Sequence, residues 1–228
     1  MFDALFGPEA KRTRMLPKVP DGPLKAFLSD PFPDRNLPIS KTPMLAVDFE
    51  TTGPTSDPEQ ILSVGFVEIL NNEIILSTAY HQIIQTRGDL DEKNVIIHKI
   101  TDDAKDQGGP LDTAIAALLN ALKGKVLLAH FSHTEKKFLQ QACQTLYGMS
   151  PDFPIIDTLY LARQRFERKK LPYKRGQLSL SALREAHELP HHKAHNALTD
   201  AIATGELMFA EINQTGNPDT LPLKRFLL

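Results

Sequence analysis

Met44-Leu45-Ala46-Val47-Asp48-Phe49-Glu50-Thr51-Thr52-Gly53 joins four apolar residues to two carboxylates and a turn. Residues 44–47 form a short, wholly apolar run, the pattern of a strand buried on both faces of a sheet. If that strand runs on through Glu50, the period of two puts Asp48 and Glu50 on one face. Two carboxylates side by side at the end of a buried strand repel each other, and loss of water adds to the cost. A divalent cation removes both penalties, because it takes oxygen ligands of this kind. Thr51, Thr52 and Gly53 make a turn where backbone can approach a ligand closely. An ordinary polar strand end is the plainer reading of the same residues.

Working outward, residues 61–70 and 74–84 are β-rich, with Asn71-Asn72 as a hairpin turn between them. Leu111, Ile115, Leu118, Leu119 and Leu122 mark an amphipathic helix that opens near Pro110 and closes near Gly124. A buried strand is expected at 126–129, a helix at 133–146 and a short strand at 155–156. Further helices are expected at 158–166, 179–187 and 196–212. Three strands followed by strands alternating with helices predict an α/β fold, a mixed sheet covered by helices.

The chain has 228 residues, 41% of them hydrophobic, enough for one well-filled domain. No apolar run reaches the roughly 18 residues of a membrane span, and the first 14 residues lack the apolar core of a signal peptide. A single cysteine, Cys143, lies in an apolar helical stripe with Phe138, Leu139 and Leu146. That argues against disulfides or a thiolate zinc site, and makes a reducing cytoplasm the expected compartment. A net charge of −2 argues against a protein that coats nucleic acid through a broad basic surface. It leaves room for an enzyme that grips only a strand end, since bound cations would offset an acidic centre. Residues 1–42 read differently: Pro8, Pro17, Pro20, Pro23, Pro31, Pro33 and Pro38 recur, and no period survives between them. They are expected to form an extended, proline-rich arm that packs on the domain or on a partner, or is partly disordered, and residues 43–228 the functional domain.

Two more segments carry candidate chemistry. His195-Asn196-Ala197-Leu198-Thr199-Asp200 opens the last long helix. On one continuous helix, five residues correspond to about 140° of rotation, which would point His195 away from Asp200. With Asn196 as the cap, His195 sits ahead of the helix and could serve as a general base. The bland alternative is an acid that merely suits the helix dipole. Ala129-His130-Phe131-Ser132-His133-Thr134-Glu135 lies between a strand and a helix. Glu135 there is either a metal ligand or half of a capping box with Ser132.

In this order the three segments resemble the three motifs of the DEDDh 3′–5′ exonucleases, the group that includes the proofreading epsilon subunit of bacterial DNA polymerase III and several small ribonucleases. Asp48-Phe49-Glu50-Thr51-Thr52-Gly53 is similar to the first motif, and residues 97–101 to the segment that lines the terminal nucleotide. Residues 128–139 are similar to the second motif, 157–159 to the turn that follows it, and His195 with Asp200 to the third in its histidine form. The likeness covers about residues 44–210. It departs at Glu135, where the second motif usually has aspartate. The extra methylene moves the carboxylate by about 1.5 Å.

The resemblance implies a ribonuclease-H-like fold and a two-metal site. Asp48 would bridge two Mg²⁺ or Mn²⁺ ions, Glu50 and Asp200 would help to hold the first, and Glu135 would support the second. His195 would take a proton from the attacking water, releasing nucleoside 5′-monophosphates from a 3′ end, single-stranded in form and DNA by preference. Phe49, Thr51, Thr52, His98, Ile100 and His130 would line the terminal nucleotide, although surface or structural roles fit His98 and His130 equally well. The basic run from Arg163 to Arg175 is either a phosphate contact or a solvated helix end. Alternatives are an exoribonuclease or oligoribonuclease of the same group, or a weakly active subunit that binds a polymerase or another partner.

Overall fold

The computed structural model describes residues 7–53, 60–86, 98 and 100–228; the side chain of Arg175 lies outside this set, as do Ile97 and Lys99. In chain order the elements are α1 (Pro8–Met15), α2 (Pro23–Ser29), β1 (Met44–Thr51), β2 (Ile61–Leu70), β3 (Glu73–Ile83), α3 (Asp102–Asp106) and α4 (Leu111–Leu122). They continue with β4 (Val126–Ala129), α5 (His133–Tyr147), β5 (Ile155–Asp157), α6 (Thr158–Arg168), α7 (Leu180–Ala186) and α8 (Ala197–Asn213). The strands form one sheet in the order β3-β2-β1-β4-β5. The first three are antiparallel, while β4 and β5 run parallel to β1. This is the mixed sheet flanked by helices expected from the sequence.

The β2–β3 connection follows from its two asparagines. Asn71 and Asn72 both adopt left-handed backbone, φ 51° and 64°, as the tight hairpin turn that matches strand twist requires. β1 and β4 are apolar on both sides because helices cover both faces of the sheet. Leu45, Val47, Leu127 and Ala129 face one layer with Leu118 and Phe138, while Met44, Ala46, Val126 and Leu128 face the other with Ala201, Met208 and Ile212. Cys143 lies in the first layer, fully buried, its thiol pushed up to about 12 by burial.

The first 42 residues depart in part from expectation: helices at Pro8–Met15, Leu16–Lys18, Pro23–Ser29 and Ile39–Lys41 interrupt the extended stretch, which packs on the domain. Pro8 and Pro23 sit at helix starts, where a missing N–H costs nothing and a fixed φ favours the helix. Leu24, Phe27 and Leu28 of α2 are buried in the same core as Ile115, Leu118 and Leu122 of α4. Each such side chain contributes roughly 1.5–3 kcal/mol by leaving water. The stretch after α2 then pairs with the end of the chain, Ile39 N–H donating to Leu221 O at 2.9 Å and Leu223 N–H to Leu37 O at 2.9 Å. Among the described residues, no helix is long and apolar enough to cross a membrane.

Candidate active site

β1 continues beyond its apolar half to Thr51, so Asp48 and Glu50 share a face as the alternation requires. They lie two register positions apart, Asp48 opposite Gly65 and Glu50 opposite Ser63 of β2, and the register shifts just after Glu50. Their side of the strand is the one that Met44 and Ala46 present to α8. The two acids therefore take over where that apolar layer ends.

Gly65 brings the third acid to them. A Cβ at this position would lie 2.2 Å from both the Ala197 carbonyl carbon and the Leu198 nitrogen. Only a residue without a side chain lets the first turn of α8 rest on the strand there. Asp200, in that first turn, joins Asp48 and Glu50 in a constellation whose donor oxygens all lie within 4.8 Å of one another.

Asn196 caps α8, its Oδ1 accepting from the Thr199 N–H at 3.1 Å. His195 stands ahead of the helix, exposed, in left-handed backbone at φ 66°. Its N–H donates to Asp200 Oδ2 at 2.8 Å. The other oxygen, Oδ1, meets His192 Nε2 at 2.9 Å. The sequence reading missed His192, since no spacing rule links it to Asp200. The loop that carries both histidines enters through Glu188, also left-handed at φ 56°. Buried Arg184 holds this loop by donating to Pro190 O at 2.8 Å while it also reaches Ala203 O of α8 at 2.8 Å.

Glu135 comes from the start of α5. The capping-box alternative falls away, because Ser132 makes no side-chain cap. Its hydroxyl donates instead to Asp157 Oδ2 at 2.9 Å. Asp157 also accepts the backbone N–H groups of Phe131 and Ser132 and caps α6 through Leu159 and Tyr160. One buried carboxylate thus fixes the whole turn before Glu135. Glu135 is itself buried at 4% exposure, and its Oε2 has no hydrogen-bond partner.

Electrostatics record the crowding. Burial, then the charges of Glu135, Glu50 and Asp200, hold Asp48 well above the usual carboxylate range. Burial pushes Glu135 up to about 8, with the charges of Asp157 and Glu50 adding to the rise and a backbone N–H opposing it. Burial also raises Asp200, against the lowering effect of the His195 N–H. Glu50 Oε1 is buried without a partner as well. Buried carboxylate oxygens that lack donors are expensive, and the donor set is all oxygen. It fits a hard divalent cation such as Mg²⁺ or Mn²⁺.

The nucleotide-lining candidates separate. Thr51 and Thr52 are half-buried just after Glu50. His98 rests against Glu50 Oε2 and faces His195 edge-on, with ring centroids 6.2 Å apart. Ile100 is buried at 6% exposure. Phe49 turns into the core beside Val47 and Val64, which leaves only its backbone for contact. His130 is a structural histidine: Nδ1 pairs with Thr158 Oγ1 at 2.8 Å and Nε2–H donates to Leu178 O at 3.0 Å, so neither ring nitrogen is left for a nucleotide. In the basic run, α6 starts beside the site and travels away from it, and Arg165 is committed to Glu211 by two contacts of 2.9 and 3.0 Å.

Residues 45–208 match the exonuclease family of RNase T type. Over 170 residues the chain is 30% identical to a 3′-5′ exonuclease DinG of Staphylococcus haemolyticus (strain JCSC1435), covering 75% of this chain and 18% of that protein. It is 26% identical over 170 residues to a PolC-type DNA polymerase III of Thermotoga maritima, covering 74% of this chain and 12% of that one. The chain thus spans less than a fifth of these relatives. Among solved structures, the nuclease domain of 3′hExo, described as a DEDDh family member bound to rAMP, superposes with a TM-score of 0.62 at 18% identity, covering 80% of this chain and 96% of that one. Cell-death related nuclease 4 gives 0.66 at 16%, covering 79% and 66%. These two share the fold. With the family model spanning most of its length, the chain belongs to the RNase T family of exonucleases.

Proposed function

We propose that the chain is a 3′–5′ exonuclease that removes nucleotides from the 3′ end of DNA as nucleoside 5′-monophosphates, with residues 43–228 as the catalytic domain. The observation that carries this is the meeting of Asp48, Glu50 and Asp200 beside buried carboxylate oxygens that lack any donor. Asp48, Glu50 and Asp200 would hold one Mg²⁺ or Mn²⁺ ion, and Asp48 with Glu135 a second. Two such ions, when bound, stabilise both the attacking and the leaving oxygen of an in-line displacement.

The protein groups do the rest. His195, exposed beside the acids, accepts the proton of the attacking water on a ring nitrogen. Thr51, Thr52, His98 and Ile100 hold the terminal nucleotide so that its phosphate meets the acids. DNA is favoured because the relatives at sequence level are named for DNA polymerase III and DinG. A polymerase as partner rests on the PolC-type relative alone. A non-catalytic role is disfavoured by the convergence of Asp48, Glu50 and Asp200.

In an assay with added Mn²⁺ or Mg²⁺, only strands with a free 3′ end should be shortened, and DNA faster than RNA. Equal digestion of 3′-blocked strands would exclude this polarity, and faster RNA cleavage would exclude the substrate. Asp48→Ala should abolish release, and His195→Ala should slow it by about 10²–10⁴-fold.

A further inference from the structure

The site contains a second set of convergent donors that differs in chemistry from the first. Glu50, His98 and His195 each offer one ligand atom, and these atoms all lie within 4.8 Å of one another. The two imidazoles come from segments almost a hundred residues apart in sequence and meet edge to face over Glu50. Nδ1 of His98 touches Glu50 Oε2, yet it is buried without a hydrogen bond of good geometry, and Glu50 Oε1 is buried without any partner. Two unsatisfied buried polar atoms on adjacent side chains are a costly pairing in a finished core. A cation between them would satisfy both.

We propose that Glu50, His98 and His195 form a site for a nitrogen-preferring divalent ion, Zn²⁺ above all, whose occupancy shuts the enzyme off. Asp48, Glu50 and Asp200 are all oxygen donors and suit a hard ion. Two imidazoles and one carboxylate suit zinc, which takes four ligands at about 2.0–2.2 Å and so needs donors about 3.3 Å apart. A water completes the fourth position.

Glu50 belongs to both sets, so the two occupancies compete for it. Zinc also takes the ring nitrogen of His195, leaving the attacking water without its proton acceptor. Zinc binding stands on geometry alone, whereas the shut-off rests on the nuclease reading above.

The test uses the full chain stripped of metal. Zn²⁺ and Mn²⁺ affinities are measured by competition with a chromogenic chelator, for wild type, His98→Gln and His195→Gln. Zinc outranks manganese at most sites of nitrogen and oxygen donors, so the deciding quantity is the dependence on the two histidines. Each substitution should weaken Zn²⁺ binding by about tenfold or more while Mn²⁺ binding changes less than about twofold. A single Zn²⁺ equivalent should also stop Mg²⁺-supported hydrolysis. Unchanged Zn²⁺ affinity in both variants would overturn the proposal, and melting curves of the variants exclude misfolding as the cause of a loss. Histidine-dependent Zn²⁺ binding without any nuclease activity would sink the function proposed above and leave the zinc site standing. Activity with histidine-independent zinc binding would do the reverse.

Discussion

Two helix starts deliver acids to the carboxylates of the central strand β1, and they deliver them differently. At α8, Asp200 has both oxygens engaged, one by the His195 N–H and one by His192, and the helix itself lies on Gly65 with no room to shift. At α5, Glu135 is approached by a turn that Asp157 fixes, but its own Oε2 is free of partners. One acid is aimed by contacts on the carboxylate, the other only by the backbone behind it. The difference explains why an extra methylene is accommodated at Glu135. A side chain with one oxygen unheld can fold its added length away, whereas a lengthened Asp200 would break two contacts at once.

The sharpest way to break this comparison is Gly65→Ala. The added methyl must displace the start of α8 and Asp200 with it, and a misplacement of that order costs about 100-fold in rate. Single-turnover measurements at saturating Mn²⁺ would read the loss, and wild-type rates would mean that α8 is not seated by this contact. His192→Ala comes next. Removing the group that orients a metal ligand costs about tenfold in metal affinity, read as a rise in the Mn²⁺ concentration needed for half-maximal protection against thermal unfolding. His192→Asn, which keeps a donor, should recover part of it, and equal midpoints for all three proteins would show that His195 N–H alone suffices. Glu135→Asp should do least, changing the rate by less than about tenfold in either direction, because one oxygen of the carboxylate is unheld. A loss as large as that of Gly65→Ala would show that Glu135 is as tightly aimed as Asp200.

Much of the site was legible because its signals are local. The alternation in residues 44–50 put Asp48 and Glu50 on one face, the Asn196 cap freed His195 from the helix, and the asparagine pair marked the hairpin. What escaped depends on distant partners. Gly65 reads as a weak point in a strand until Ala197 is laid on it. His130 has the look of a ligand-binding histidine until Leu178, 48 residues away, accepts its second nitrogen. His192 stands among other histidines and gains meaning only from Asp200. α2 is too short to show a period, and its burial comes from α4 and not from propensity. α1 buries none of its residues, so no apolar stripe announces it.

The loop around Pro190 ties these points together. Arg184 clamps it to α8 by one guanidinium, and the loop in turn supplies both groups that steer Asp200. The position of Asp200 is therefore governed by a hinge pin on α7. In energetic terms the reaction centre reaches as far as α7, and a lesion there would be felt as a blunted catalyst in an otherwise intact fold.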